Sequence, residues 1–231
     1  MTHYQLKSDF FSSHQQIFRF IAQLQPSAKK ILDLGCDVGF LGRILHKQSN
    51  RFIIDGVDVN PKRLALARKY YNQTYCFDLN QPHWRIRKKY DVVVVADTLE
   101  HLINPAAILR KCIKLIKTGG YIILSVPNIG HWWPRLMIVT GNFPLDERRI
   151  FDKTHMHFYT LDTINRFLGS FPKLESVAYL TTTPPLQFIF QRYGRYLPLD
   201  TATRVAHKLS QLWPKLFTYQ HIFVIKKGKF D

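Results

Sequence analysis

The fold is decided by the segment Ile31-Leu-Asp-Leu-Gly-Cys-Asp-Val-Gly-Phe-Leu-Gly42. Its first four residues predict a buried strand, and a turn with Gly35 and Gly39 follows, after which a helical pattern begins. Glycine allows the backbone of such a turn to approach a ligand closely. The next apolar run ends on Asp58, roughly 20 residues further on, where dinucleotide-binding folds carry a ribose-binding carboxylate. The segment therefore predicts a site for a nucleoside-containing cofactor.

Strand and helix patterns alternate outward from this segment. Short apolar runs predict further strands at 52–58, 75–77, 92–96, 121–126, 174–180 and 221–226. Helical periodicity predicts helices at 40–47, 61–71, 105–117 and 161–168. Strands that alternate with crossover helices form parallel sheets. We therefore expect an α/β fold, Rossmann-like and doubly wound, with a mostly parallel seven-stranded sheet and helices on both faces.

The chain reads as a single domain over residues 1–231. Residues 1–28 contain a helical stripe from Phe10 to Leu24, and residues 29–126 form the predicted cofactor-binding core. Residues 127–231 carry substrate-side loops, a late helical insertion between Pro184 and Pro214, and the last strands. This order places the irregular segments after the predicted cofactor turn.

Composition and charge limit the classes of function. The chain has 33 Lys and Arg against 16 Asp and Glu, a formal net charge of +17. The basic residues are scattered along the chain, which is typical of a solvated surface and makes nucleic acid a less favoured partner. Apolar runs of five or six residues are too short to span a bilayer, and the first residues lack a secretory pattern. We therefore expect a cytoplasmic protein.

Glycine spacing separates two classes of cofactor. The dinucleotide pattern Gly-x-Gly-x-x-Gly, placed on Asp37, Gly39 and Gly42, lacks its first glycine, which disfavours NAD. The segment resembles instead the first motif of class I S-adenosylmethionine-dependent methyltransferases, Asp-x-Gly-x-Gly-x-Gly, here Asp33, Gly35, Asp37 and Gly39. Asp37 replaces the middle glycine, and aspartate is one of the few residues that tolerate a left-handed backbone.

The resemblance continues along the chain and implies S-adenosylmethionine as the cofactor. Asp58 and Val59 resemble the ribose-binding second motif, and Asp78 and Leu79 resemble the third motif at the adenine edge. Asp97 belongs to the fourth motif. By this resemblance, Asp58 binds the ribose hydroxyls, Asp78 binds the adenine amino group, and the turn from Asp33 to Gly39 binds the methionine portion.

Two later segments suggest the acceptor. Residues 125–132 and 152–160 resemble a branch of small-molecule methyltransferases from quinone, methionine-related and cell-surface glycan pathways, in which the His-rich loop faces the methyl group. Because histidine titrates near neutral pH, His155 or His157 is the candidate general base, with Asp152 or Tyr159 to orient it. The alternative is that both histidines only attach the loop to the domain.

A metal site is a further alternative. The sequence Asp97-Thr-Leu-Glu100-His101 resembles the pattern that binds a divalent ion in small-RNA 2′-O-methyltransferases. The Leu-Glu-His part is, however, widespread in methyltransferases without a metal. We therefore expect no metal ligand in this chain.

These features predict a methyltransferase that acts on an oxygen, with nitrogen less favoured, of a small or lipid-linked metabolite. The aromatic and basic segments 184–198 and 213–219 suit a lipid headgroup surface or a substrate lid, so peripheral contact with the inner face of a membrane is a further expectation. The alternatives are a metal-using RNA 2′-O-methyltransferase and a non-catalytic scaffold. The sequence leaves the oligomeric state open.

Overall fold

The computed structural model describes residues 11–24, 30–48, 52–146, 150–186 and 199–228. Two single 3₁₀ turns, Arg68–Tyr70 and Leu99–His101, supplement the regular elements. The helices are α1 Ser13–Gln23, α2 Phe40–Gln48, α3 Pro61–Ala67, α4 Pro105–Leu115, α5 Trp132–Val139, α6 Leu161–Gly169, α7 Leu199–Leu212 and α8 Pro214–Phe217. The strands are β1 Lys30–Leu34, β2 Ile53–Asp58, β3 Gln73–Cys76, β4 Tyr90–Ala96, β5 Ile116–Pro127, β6 Leu174–Thr181 and β7 Gln220–Lys227.

The strands form one seven-stranded sheet in the order β3-β2-β1-β4-β5-β7-β6. Strands β1 to β5 pair in parallel, whereas β7 pairs antiparallel with both β5 and β6. The chain starts at β1 in the middle of the sheet, winds out to β3, and then returns to β4 on the other side of β1. This doubly wound arrangement confirms the predicted α/β fold, and it brings the carboxyl ends of β1, β2 and β4 together at one edge.

Apolar side chains cover both faces of the sheet. On one face α1, α2 and α3 pack against alternate strand residues, among them Ile31, Ile54 and Val94. On the other face α4 and α6 pack against the intervening residues, such as Leu32 and Val93. Because a parallel sheet is buried on both faces, its strands are continuous apolar runs. This explains why the short runs predicted the strands well.

Asparagine and proline begin two of the crossover helices. The side chain of Asn60 accepts hydrogen bonds from the backbone of Lys62 and Arg63 ahead of α3, and Asn104 accepts one from Ala107 ahead of α4. Proline occupies the next position of each helix, where its missing N–H costs nothing. Both helices therefore start where the sequence predicted.

Several elements differ from the prediction: α3 ends at Ala67 and not at residue 71, and β5 begins at Ile116 and not at residue 121. Helix α4 ends at Leu115 and not at residue 117, because Ile116 is extended, pairs with Tyr90 and is buried in the sheet. The sequence also did not predict α5, because this helix has apolar residues around most of its circumference and therefore lacks an amphipathic stripe. A tertiary contact ends α4 before its helical sequence pattern does, and the apolar composition of α5 hides its helical periodicity.

The terminal segments are only partly described. Helix α1 confirms the predicted N-terminal helix. The predicted insertion contains α7, and α8 begins at its last residue, Pro214; residues 187–198 of the segment expected at a lipid surface lie outside the described residues. Within the described ranges, the structure contains no helix that is both long enough and apolar enough to cross a membrane.

Candidate active site

A cleft of about 550 Å³ lies at the carboxyl ends of β1, β2 and β4. Its walls come from the loops after these strands, from α1, α2 and α3, and from the loop at 152–154. The lining residues are His14, Asp33, Gly35, Cys36, Asp37, Phe40, Ile44, Asp58, Val59, Asn60, Arg63, Ala96, Asp97, Thr98, His101, Asp152 and Thr154. The cleft therefore brings together most of the residues that the first two motifs and the fourth motif predicted.

The two glycines of the first motif play different parts. Gly35 lines the cleft with φ +76°, and a Cβ atom there would lie 2.4 Å from the hydroxyl of Thr98. That hydroxyl lies 3.0 Å from the carbonyl oxygens of Leu34 and Ala96, and so joins the ends of β1 and β4. Gly39 also has a positive φ, but it packs closely against Ala67 of α3 and does not line the cleft. Gly35 thus shapes the cleft, and Gly39 lets two helices approach each other.

Asp33 is a buried carboxyl group at the base of the cleft. Its Oδ2 atom accepts a 2.6 Å hydrogen bond from the hydroxyl of Tyr71, which in turn accepts one from the backbone N–H of Gly42. Burial raises the pKa of Asp33 to about 7, the Tyr71 hydrogen bond opposes this rise, and the nearby charge of Asp58 adds to it. A cation in the cleft would favour the ionised form of this group.

Asp58 is held in place by the backbone at the end of β2. Its two carboxylate oxygens accept hydrogen bonds from the N–H groups of Asp37 and Asn60, at 2.9 and 2.8 Å. The side chain of Asp37 forms a 2.7 Å ion pair with Arg63 of α3. Asp37, which replaces the middle glycine, is therefore bound to α3. Its N–H helps to orient Asp58, the predicted ribose-binding residue.

Asp97 is fixed by β5 and β7. Its carboxylate accepts hydrogen bonds of 2.7 Å from the Ser125 hydroxyl and from the Gln220 side chain. Asp97 and Asp37 have φ near +50° and are, within the described ranges, the only non-glycine residues with a positive φ. Both line the cleft. Strained backbone of this kind clusters at functional sites, which supports this cleft as the active site.

The cleft is acidic although the protein is strongly basic. Five of the 16 acidic residues of the chain line it, namely Asp33, Asp37, Asp58, Asp97 and Asp152. Among the described residues of the lining, Arg63 is the only Lys or Arg, and it is paired with Asp37. Such a site repels phosphate and attracts cations. It therefore fits a cofactor that carries positive charge, such as a sulfonium, better than a dinucleotide or a nucleic acid backbone.

The residues predicted at the adenine edge lie elsewhere. Leu79 is buried in the core under β4, and the carboxylate of Asp78 accepts hydrogen bonds from the backbone and side chain of Asn80. Neither residue belongs to the cleft lining, whereas Val59 does. The adenine contact of Asp78 stays a prediction.

A hydrogen-bonded chain connects His101 to the 152–154 loop. The hydroxyl of Thr154 donates to Asp152 at 2.6 Å, and its oxygen lies 2.9 Å from Nδ1 of His101. The carbonyl of Thr154 also lies 3.2 Å from Nδ1. Since both neighbours of Nδ1 can then only accept, the proton of the neutral ring belongs on Nδ1, and Nε2 is the nitrogen left to accept a further proton. Burial alone would raise the pKa of Asp152, but the Thr154 hydrogen bonds outweigh it and lower that pKa.

The two predicted catalytic histidines lie behind His101. The ring of His155 packs edge-on against His101 with centroids 4.7 Å apart, and its Nδ1 lies 3.1 Å from the carbonyl oxygen of Ile150. Burial and the neighbouring His101 lower the pKa of His155. His157 stacks on Tyr159. Neither His155 nor His157 is part of the cleft lining, so their role as bases stays a prediction.

The alternative metal pattern is only partly assembled. Ligand atoms of Glu100, His101 and His155 lie within 4.8 Å of one another, and Nε2 of His155 is 3.9 Å from Glu100. The Asp97 carboxylate is bound to Ser125 and Gln220 and is not part of this group. The group contains two nitrogen ligands and one oxygen ligand, a set that suits a transition metal more than magnesium.

Sequence reasoning missed some of the cleft. His14 of α1 and the pair Phe40 and Ile44 of α2 also line the cleft. His14 is far from every motif in the sequence. The sequence indicates His101 only as a metal ligand. The one sequence signal for it was its place just after β4, at the edge where parallel strands present their ligands.

The fold, the glycine turn and the acidic cleft define a class I S-adenosylmethionine-dependent methyltransferase. A family model described as a methyltransferase domain matches residues 7–171, and the chain belongs to this family.

Similar curated proteins include two ubiquinone biosynthesis O-methyltransferases, from Proteus mirabilis (strain HI4320) and Aliivibrio fischeri (strain ATCC 700601 / ES114). Each is 33% identical to this chain over 106 residues. The matches cover 43% of this chain and 42% and 44% of those proteins. The chain thus spans less than half the length of these relatives.

Solved structures share the fold over nearly the whole chain. An S-adenosylmethionine dependent methyltransferase from Mesorhizobium loti matches with a TM-score of 0.59 and 15% identity, over 94% of this chain and 98% of that one. The plantazolicin methyltransferase BpumL in complex with SAH matches with a TM-score of 0.58 and 18% identity, over 94% and 83%. At these identities the likeness establishes the fold alone.

Proposed function

We propose that the protein transfers a methyl group from S-adenosylmethionine to a hydroxyl oxygen of a small or lipid-linked metabolite. The observation that carries the proposal is the acidic cleft at the strand ends of a basic protein. S-adenosylmethionine supplies an electrophilic methyl carbon on a positively charged sulfur. Asp33 and Asp97 complement positive charge in the cleft, and Asp58 offers two fixed oxygens to hydroxyl donors.

The acceptor class follows from the relatives and from His101. The curated relatives are O-methyltransferases of ubiquinone biosynthesis, which supports a hydroxyl acceptor. In our proposal Nε2 of His101 accepts the proton of that hydroxyl as its oxygen bonds to the methyl carbon, while the carbon–sulfur electron pair stays with sulfur. Thr154 and Asp152 hold the His101 ring in the required tautomer.

The test combines cofactor binding with an acceptor screen. Calorimetric titration with S-adenosylmethionine and its demethylated product should give micromolar affinity. Purified protein with methyl-labelled cofactor should then label phenolic or other hydroxylated metabolites, with and without an apolar tail. Absence of cofactor binding would refute the proposal in favour of the scaffold alternative, and binding without labelling of any hydroxyl compound would refute the acceptor class.

One specific observation favours a second candidate, a metal-using RNA 2′-O-methyltransferase. It is the proximity of Glu100, His101 and His155. A chelator separates the two candidates, because the metal-independent base that we propose continues to work in its presence. Loss of turnover with a chelator, together with RNA binding that falls steeply with salt, would support the second candidate.

A further inference from the structure

The ring of Tyr71 fills a niche behind the first motif. Tyr71 follows the 3₁₀ turn after α3 and is only 8% exposed. Three glycines border the niche: a Cβ atom at Gly39, Gly42 or Gly56 would lie 3.0, 2.5 or 2.9 Å from an atom of the ring. Of these three, only Gly39 has a positive φ. Gly42 and Gly56 therefore make room for the ring, because a helix or a strand otherwise disfavours glycine in its interior.

The backbone next to Tyr71 is fixed to β2. The side-chain oxygen of Asn72 accepts a 2.8 Å hydrogen bond from the N–H of Ile54, and the N–H of Asn72 donates to the carbonyl oxygen of Ile54 at 2.7 Å. Both polar groups of this strand residue are thus satisfied by the residue after Tyr71. The position of the ring is therefore set by β2 on one side and by the three glycines on the other.

The hydroxyl of Tyr71 joins the two ends of the turn that the first motif forms. It donates a 2.6 Å hydrogen bond to Oδ2 of Asp33 at the end of β1 and accepts a 3.2 Å hydrogen bond from the N–H of Gly42. Gly42 lies in the first turn of α2, where N–H groups have no carbonyl partner within the helix. One phenol oxygen therefore satisfies a donor of α2 and holds the buried carboxylate of β1.

A cationic cofactor needs an ionised Asp33 in this part of the cleft. Burial raises the pKa of Asp33 to about 7, and the hydrogen bond from Tyr71 is the influence that opposes this rise. Burial also raises the pKa of the Cys36 thiol and of Tyr71 itself, so both keep their protons near neutral pH. The other charged or titratable residues of the cleft lining are His14, Asp37, Asp58, Arg63, Asp97, His101 and Asp152.

We propose that Tyr71 is a positioning residue for the cofactor: its hydroxyl holds the carboxylate of Asp33 in the orientation and charge state that receive the cationic methionine portion of S-adenosylmethionine. The inference rests on the proposed function, which supplies the cofactor. Tyr71 does not line the cleft, so it acts through Asp33 and not on the reacting atoms. It lies 38 residues after Asp33, outside every motif that the sequence indicates.

Calorimetric titration of the full chain with S-adenosylmethionine and with its demethylated product, between about pH 6 and pH 9, tests the proposal. In Tyr71→Phe the ring still fills the niche, but Asp33 loses its donor and ionises at higher pH. Binding of S-adenosylmethionine should weaken about tenfold near neutral pH, and its rise with pH should move up by about one unit. The demethylated product lacks the sulfonium charge, so its affinity should change by less than about threefold.

Tyr90→Phe is the matched control. The buried hydroxyl of Tyr90 donates a 2.8 Å hydrogen bond to the buried Asp55, and neither residue lines the cleft. This variant removes a bond of the same kind and should keep the affinity of the parent for both ligands. A comparison of Asp33→Asn with Asp33→Asn/Tyr71→Phe completes a double-mutant cycle. Without an ionisable group at position 33, loss of the Tyr71 hydroxyl should change the affinity by less than about threefold at every pH.

Each outcome decides the proposal. If the affinities and the pH profile of Tyr71→Phe match those of Tyr90→Phe, the inference is overturned and the proposed function stands. Equal weakening of both ligands at every pH would mean that Tyr71 only supports the fold, which also overturns the inference. A parent protein that binds neither ligand defeats the proposed function together with the inference. A shift confined to S-adenosylmethionine and to proteins with aspartate at position 33 supports it.

Discussion

The two walls of the cleft hold their polar groups in different ways. The strand wall consists of Asp33 and Asp58, which lie near the carboxyl ends of β1 and β2, and of Asp37 in the turn after β1, and backbone N–H groups fix the carboxylate of Asp58. The loop wall joins His101 to a threonine 53 residues further along the chain. The strand wall is thus held by contacts between neighbouring strand ends, with Asp37 and Asp58 lying 21 residues apart, whereas the loop wall joins segments that are 53 residues apart. We infer that cofactor binding depends on the strand ends of the sheet and that proton transfer depends on contacts with the 152–154 loop.

The largest effect should come from Asp33 of the strand wall. Burial raises its folded-state pKa to about 7, above the usual value near 4 of an unfolded chain. Its contribution to stability is therefore complete below pH ~4 and is lost as the pH rises through 7. Asparagine cannot ionise but still accepts the hydrogen bond of Tyr71. Relative to the parent, Asp33→Asn should gain up to ~4 kcal/mol of unfolding free energy between pH 4 and 8, measured by urea denaturation. If the difference in unfolding free energy between the two proteins is constant with pH, the pKa of Asp33 is not raised by burial.

The loop wall is tested next by His101→Gln. Removal of a general base should lower kcat by ~10²–10³-fold and leave the calorimetric affinity for S-adenosylmethionine within about threefold. His157→Gln is the matched control, because it removes a histidine of the same loop region that does not line the cleft. If His157→Gln causes the larger loss of kcat, the base is the one that the sequence predicted, and the loop wall is not catalytic.

Asp58→Ala tests the strand wall as a binding surface. The loss of two charge-assisted hydrogen bonds should weaken binding of S-adenosylmethionine by about 100-fold in a calorimetric titration. Asp162→Ala removes the same charge from an exposed aspartate that pairs with Lys215, and it should bind the cofactor like the parent. Equal affinities for Asp58→Ala and the parent would place the ribose contact elsewhere.

The smallest expected effect comes from alanine at Gly35 and Gly119, and it separates crowding by a neighbouring side chain from backbone strain. Gly35 and Gly119 both have φ near +75°, but a Cβ atom meets Thr98 at Gly35 and nothing within 4 Å at Gly119. Gly35→Ala should therefore destabilise the protein by ~1–2 kcal/mol more than Gly119→Ala, as read from denaturant midpoints. Similar losses in the two variants would mean that the Thr98 contact relaxes freely.

The sequence predicted the strand wall much better than the loop wall. The strands are continuous apolar runs, and the carboxyl ends of such runs lie at the ligand-binding edge, which explains why Asp33, Asp58 and Asp97 line the cleft. Near the loop wall, three histidines are candidates for the base, namely His101, His155 and His157. No local sequence pattern indicates that His101 faces the cleft while His155 packs behind it. Helix α5 was missed for a related reason, since periodicity detects a helix only when one side is polar.

The position of β7 has a consequence for biosynthesis. This strand enters the sheet between β5 and β6, and its residue Gln220 binds the carboxylate of Asp97. During translation, β5 thus remains an unprotected edge, and Asp97 lacks one of its anchors, until residue 220 and its neighbours have left the ribosome. The nascent chain can form the β1–β4 portion early, but it acquires a complete cofactor cleft only after β7 has been synthesised.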